Sequence, residues 1–128
     1  MRLDHVGVAT DDAAALAELL GGLLDAPVVH EEEFDGLGVV FLEAGEPSIE
    51  LLEPLGAEGP VARFLDRRGP GLHHLAFEVD DVAAALDAAT AAGIEAIDET
   101  PRPGARGHTV AFLHPGSTGG VLVEFVEH

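Results

Sequence analysis

Leu3-Asp4-His5-Val6-Gly7-Val8-Ala9-Thr10-Asp11-Asp12 returns later in the chain as Leu72-His73-His74-Leu75-Ala76-Phe77-Glu78-Val79-Asp80-Asp81, so that His5 matches His74 and Asp11 matches Asp80. Each copy then reaches a strand-like run with carboxylates set among apolar residues, Ile49-Glu50-Leu51-Leu52-Glu53 in the first and Val123-Glu124-Phe125-Val126-Glu127 in the second. Self-similarity at a fixed spacing marks a duplicated supersecondary unit. Two histidines and two glutamates therefore recur at matched positions, and the pattern predicts one shared metal site.

Working outward from the repeat, residues 3–9 read as a strand. Thr10-Asp11-Asp12 supplies an N-cap for an alanine- and leucine-rich helix running to residue 24, because a short polar side chain accepts from the first free amides of a helix. Residues 28–33, 37–43 and 48–53 read as three strands, parted by turns at Asp35-Gly36 and Gly45-Glu46-Pro47. Residues 60–68 form a short helix ended by Gly69-Pro70. The second module repeats the order: a strand over 72–79, a cap at Asp80-Asp81, a helix over 82–92 closed by Gly93, and strands over 94–98, 109–114 and 121–126. The expected fold is α+β, with tandem βαβββ modules at residues 1–57 and 71–128 joined by a connector over 58–70. A module of ~60 residues is marginal by itself, so the two are expected to share one core as a single domain.

Composition narrows the function. The formal charge of −18 arises from 24 acidic residues against 6 basic ones, all arginine, at positions 2, 63, 67, 68, 102 and 106. So negative a surface argues against nucleic acid, whose binding rests on neutralising phosphates. Its self-repulsion is relieved by salt, which suits a halophilic setting. With no cysteine there is no disulfide, thiolate nucleophile or iron–sulfur cluster, and any metal is held by nitrogen and oxygen. No run approaches the roughly 20 apolar residues of a membrane span. The start does not read as a secretory leader, so a cytoplasmic protein is expected.

Strand alternation puts His5, Gly7 and Ala9 on one face and Asp4, Val6 and Val8 on the other; in the repeat His74 and Ala76 oppose Leu75, Phe77 and Val79. The bulky face suits the helices, and the histidine face, with small neighbours, leaves a concavity for a ligand. Glu50 and Glu124, flanked by aliphatics, are costly to bury as lone carboxylates, and a divalent cation removes that cost. Two imidazoles and two carboxylates suit Co²⁺, Mn²⁺, Fe²⁺, Ni²⁺ or Zn²⁺ better than Ca²⁺ or a thiophilic ion. Elsewhere, His73 is expected to pack against a helix. His114 and His108 face the mouth of the site and either contact substrate or cap a turn, and His30 carries no signal beyond surface placement.

Taken with Pro60-Val61-Ala62-Arg63-Phe64-Leu65, Phe112-Leu113-His114-Pro115 and Gly119-Gly120-Val121-Leu122-Val123-Glu124, these stretches make the chain similar to the vicinal oxygen chelate superfamily and, within it, to the methylmalonyl-CoA epimerase family. The likeness spans almost the whole chain. It implies a cupped mixed β-sheet around the metal with helices outside, and His5, Glu50, His74 and Glu124 as ligands, Glu50 standing where many relatives carry glutamine. It implies proton transfer at C2 of (2R)- and (2S)-methylmalonyl-CoA through a metal-stabilised enolate, and a homodimer. Inversion requires acid/base groups on opposite faces of C2. Glu124 is one candidate. For the other, many family members carry a glutamate before a glycine where this chain has Phe34; the resemblance leaves Glu33 or Asp35 beside that position, or a group elsewhere in the chain. Arg102 and Arg106 are expected to receive the anionic groups of the acyl-CoA, with Gly107, His114 and Ser117 on the adjoining loops. A glyoxalase-type isomerase acting on a thiol hemithioacetal is the alternative, and behind it stand an extradiol-type dioxygenase and a metal-free drug-binding protein of the same fold.

Overall fold

A computed structural model describes residues Met1–His128. The chain folds as two units, one of residues His5–His73 and one of Met1–Asp4 with His74–His128. The division falls inside strands β1 (Arg2–Ala9) and β5 (Gly71–Glu78) and not in the connector.

In the first unit, β1 leads into helix α1 (Ala13–Leu24), followed by β2 (Val28–Phe34), β3 (Leu37–Glu43), β4 (Ser48–Pro54) and helix α2 (Pro60–Arg68). The strands lie in the order β2-β3-β4-β1, with β1 parallel to β4 and the other pairs antiparallel. Helix α1 begins where expected: the Asp12 side chain accepts from Ala15 N at 3.0 Å. The β2–β3 hairpin turns on Asp35 (φ 51°) and Gly36 (φ 76°), positive φ at both central residues being the signature of a type I′ turn that matches strand twist. Leu42 and Leu51, fully buried, pack with Val40, Ala13, Ala17 and Ala26 on the helix side of this sheet.

The second unit follows β5 with helix α3 (Val82–Ala91), the two-residue strand β6 (Arg102–Pro103), β7 (Thr109–Leu113) and β8 (Val123–Glu127). The order β5-β8-β7-β6 and the parallel β5–β8 pair repeat the first unit. Asp81 caps α3 by accepting from Ala84 N at 3.1 Å, and Val82, Leu86, Ala111, Leu113 and Phe125 form the core beneath it. The α+β architecture is as the repeat implied, the mixed pairing is as the family resemblance implied, and α2 falls in the connector where a short helix was expected.

One element differs. Residues 94–98 form no continuous strand, only an isolated Ala96–Leu113 bridge. Ile97 N and Asp98 N both donate to Phe112 O, at 2.9 and 3.2 Å, so two residues oppose one and the edge bulges. The Asp98 carboxylate then takes the ladder's place by accepting from Phe112 N at 2.9 Å. The edge resumes only at Arg102, which Asp98 holds by a 3.0 Å contact to Nε. No helix is long and apolar enough to cross a membrane.

Candidate active site

Opposite the helix-covered face, each unit buries one histidine against one glutamate. In the first, the parallel register sets Gly7 beside Glu50. His5 Nε2 lies 3.3 Å from Glu50 Oε1, and the two residues are only 6% and 5% exposed. In the second, Ala76 sits beside Glu124, and His74 Nε2 lies 3.1 Å from Glu124 Oε1 with similar burial. Placing four such groups away from water is costly unless they satisfy one another or a cation.

A phenyl ring walls each pair. Phe41 is the antiparallel partner of Glu50 and meets His5 edge-on, centroids 5.8 Å apart at 80°. Phe112 is the partner of Glu124 and meets His74 in the same way at 5.4 Å and 80°. Edge-to-face contacts fix the imidazole planes. On the reverse face, three residues after each buried glutamate, a second carboxylate secures a helix. Glu53 Oε1 accepts from Ala13 N at 2.7 Å and Glu127 Oε1 from Val82 N at 2.9 Å.

The remaining candidates fall in different places. Glu33 opposes Gly38 and so shares the helix side of the sheet with Val40, away from the His5–Glu50 face, because β2 alternates and the I′ turn sets its register. Asp35 is exposed at the hairpin tip in a left-handed conformation. Neither stands beside Glu50. Arg102 lies over the Phe112 ring at 5.4 Å, on the face that carries Glu124. Arg106 and Gly107 lie exposed in a short 3₁₀ turn with φ of 62° and 72°. His114 caps a turn, its Nδ1 accepting from Gly116 N at 3.0 Å, and Ser117 Oγ accepts from Glu95 N at 3.0 Å. His73 packs against Phe64 of α2 at 5.0 Å, as expected, while His108 stacks on His128 at 4.2 Å.

Sequence reasoning passed over His30. It is the cross-strand partner of Phe41, so His30, Phe41 and Glu50 form one row on one face, and its Nε2 lies 2.9 Å from Glu32 Oε1. The Asp35-Gly36 turn contains the signal that could have found it, since a two-residue loop pairs Phe34 with Leu37 and thereby His30 with Phe41.

A family model described as the glyoxalase/bleomycin resistance protein/dioxygenase superfamily matches residues 4–112. An ethylmalonyl-CoA/methylmalonyl-CoA epimerase of Cereibacter sphaeroides is 40% identical over 129 residues, 96% of this chain and 95% of that one. Among solved structures, a methylmalonyl-CoA epimerase from Mycobacterium tuberculosis superposes with a TM-score of 0.93 at 37% identity, covering 98% of this chain and 86% of that one. A variant of the Streptomyces coelicolor methylmalonyl-CoA epimerase, in complex with 2-nitronate-propionyl-CoA, does so with a TM-score of 0.93 at 32% identity, covering 99% and 94%. With the family model spanning most of the chain and such relatives matching nearly end to end, the chain belongs to the glyoxalase/bleomycin resistance protein/dioxygenase superfamily.

Proposed function

We propose that the chain is a metal-dependent epimerase that interconverts (2R)- and (2S)-methylmalonyl-CoA by moving one proton at C2. The observation that carries this reading is a buried histidine–glutamate pair repeated in both modules of a chain about 40% identical, over nearly its full length, to an epimerase acting on this class of acyl-CoA. His5, Glu50, His74 and Glu124 are proposed as the ligands of one divalent ion. The donor chemistry fits, because imidazole nitrogen and carboxylate oxygen without thiolate suit first-row divalent ions; Co²⁺ or Mn²⁺ is proposed by family likeness. When bound, such an ion supplies a Lewis acid for the thioester oxygen and so lowers the cost of the C2 carbanion.

The protein's own groups do the rest. Glu124 is proposed as the acid/base on one face of C2. Phe41 and Phe112 make apolar walls that keep water from the reacting carbon. Arg102 and Arg106 are proposed to meet the anionic groups of the substrate, carboxylate or coenzyme A phosphate, in an otherwise acidic protein; Arg102 is already held in place by Asp98. Gly107, His114 and Ser117 shape the adjoining loops. A homodimer is proposed by family likeness and is checked by sedimentation.

The test is deuterium incorporation at C2 of methylmalonyl-CoA in D₂O, with metal-stripped protein and with Co²⁺ or Mn²⁺ restored. Metal-dependent exchange above background, lost in His74→Ala, is expected. No exchange with any metal in folded protein would reject this substrate and bring forward the glyoxalase-type isomerase.

A further inference from the structure

Inversion at C2 needs a second proton-transfer group, and neither acidic residue expected from sequence stands where it could serve. Glu33 lies on the helix side of its sheet and Asp35 at an exposed turn. The face that bears His5 and Glu50 instead carries one other histidine–carboxylate pair, His30 with Glu32. We infer that His30 is the acid/base for the C2 face not served by Glu124, with Glu32 as its positioning residue; this assignment rests on the epimerase reading.

Three features support it. Glu50, Phe41 and His30 occupy one row across β4, β3 and β2. The Phe41 ring touches the imidazoles at both ends, His5 at 5.8 Å and His30 at 6.1 Å, so a small acyl group lying over that ring has His5 and Glu50 on one side and His30 on the other. His30 remains open to substrate, its side chain 34% exposed, whereas His5 is buried. The 2.9 Å contact from His30 Nε2 to Glu32 Oε1 selects the tautomer that donates from Nε2. That leaves the Nδ1 lone pair as the base and places a carboxylate where it steadies the imidazolium, as in other base–orienter pairs.

The step needs no reactant beyond solvent water, which between turnovers takes the proton from His30 and returns one to Glu124. His30 Nδ1 takes the C2 proton, the C–H electron pair becomes the C1–C2 π bond, and the thioester oxygen gains the charge. Proton return from the Glu124 carboxyl to the other face, with the electrons moving back, yields the opposite epimer. The reverse direction exchanges the two roles.

The experiment follows wash-in of solvent deuterium and inversion separately, starting from each pure epimer, with Co²⁺-loaded protein. For His30→Gln the expected result is loss of inversion by about 100-fold or more, the usual contribution of a positioned acid/base group. Wash-in should survive from the one epimer whose proton Glu124 removes and be lost from the other. His30→Asn, a smaller side chain that likewise lacks a basic nitrogen, should show the same asymmetry. Glu32→Gln should lower kcat about tenfold and leave KM unchanged. Inversion by His30→Gln within threefold of wild type would overturn the assignment, as would equal loss of wash-in from both epimers in protein with unchanged metal content and circular dichroism. Absence of wash-in by the wild-type holoenzyme would overturn the epimerase reading itself, and the assignment with it.

Discussion

Replacing Glu53 with alanine removes the acceptor for Ala13 N, a 2.7 Å bond from the first turn of α1 to a carboxylate on β4. A hydrogen bond to a charged group contributes about 1.5–3 kcal/mol, and part of that figure is the helix N-terminus attracting an anion, about 0.3–1 kcal/mol. Because Glu53 is only half-buried, the lower part of the range applies, and Glu53→Ala should cost about 2 kcal/mol. With an unfolding entropy of about 2.1 cal/mol/K per residue, 128 residues give roughly 0.27 kcal/mol/K, so Tm should fall by about 7 °C. Glu53→Gln keeps an oxygen acceptor and gives up only the charge, so about 1 kcal/mol is expected. Glu127, bonded to Val82 N at 2.9 Å, should behave alike, and the double alanine variant should lose about 4 kcal/mol if the two caps act independently. Urea melts of metal-free protein measure this without the stabilisation that bound metal adds. A Glu53→Ala loss below about 0.5 kcal/mol, or Glu53→Gln as harmful as Glu53→Ala, would refute the reasoning, since the first denies the cap its energy and the second denies the acceptor any part in it.

Glu50→Gln retains an oxygen donor but removes a negative charge from the proposed ligand set, so calorimetry should find one divalent ion still bound with Kd raised about tenfold or more. Gly104→Ala should cost about 1–3 kcal/mol, because its Cβ would stand 2.6 Å from Val110 Cγ1, and Val110 is buried and β-branched; Val110→Ala made with it should recover much of the loss in urea melts. Raising KCl from 0.1 to 1 M shortens the screening length from about 10 to about 3 Å, and with a net charge of −18 the Tm should rise. A Tm that falls with KCl would mean the surface charge does not oppose folding.

The strand and helix order, both Asp caps and the histidine–glutamate pairs were legible because each rests on local chemistry: alternation, a short polar residue before an apolar helix, and a motif that occurs twice. Residues 94–98 were not. Their apolar content reads as a strand, but whether Asp98 points its carboxylate at Phe112 N and displaces the ladder depends on a neighbour fourteen residues away. The second carboxylates, Glu53 and Glu127, were in plain view as the last residues of Glu-Leu-Leu-Glu and Glu-Phe-Val-Glu. The odd spacing of three places them on the face opposite Glu50 and Glu124, so they required a helix terminus whose position is tertiary information. His30 was hidden differently. Alternation alone shows that His30 and Glu32 share a face; it does not say which face, and a one-residue slip would exchange Glu32 for Glu33 beside the His5–Glu50 row. Two positive φ values at Asp35 and Gly36 decide between them.

Duplication copied the parts that two equal halves can share. Each module carries a glutamate opposed by a phenylalanine, and each phenylalanine meets the adjacent histidine edge-on. The copies diverge at the edge strand. Beyond Phe41 stands His30 with Glu32; over Phe112 stands Arg102 with Asp98. These pairs cannot do the same work. A guanidinium keeps its proton and offers a fixed, planar charge suited to a carboxylate or phosphate, whereas an imidazole steered by a carboxylate both takes and gives a proton. An epimerase needs its substrate anchored in one orientation while a proton leaves one face of a carbon and returns to the other, so it requires an anchor and a base that are different groups. Two identical edges would supply two anchors or two bases. The bulge that lets Asp98 reach Arg102 and the tight turn that brings His30 beside Phe41 are therefore the local departures from the repeat through which, on the proposed reading, a repeated histidine–glutamate pair would come to serve an asymmetric reaction.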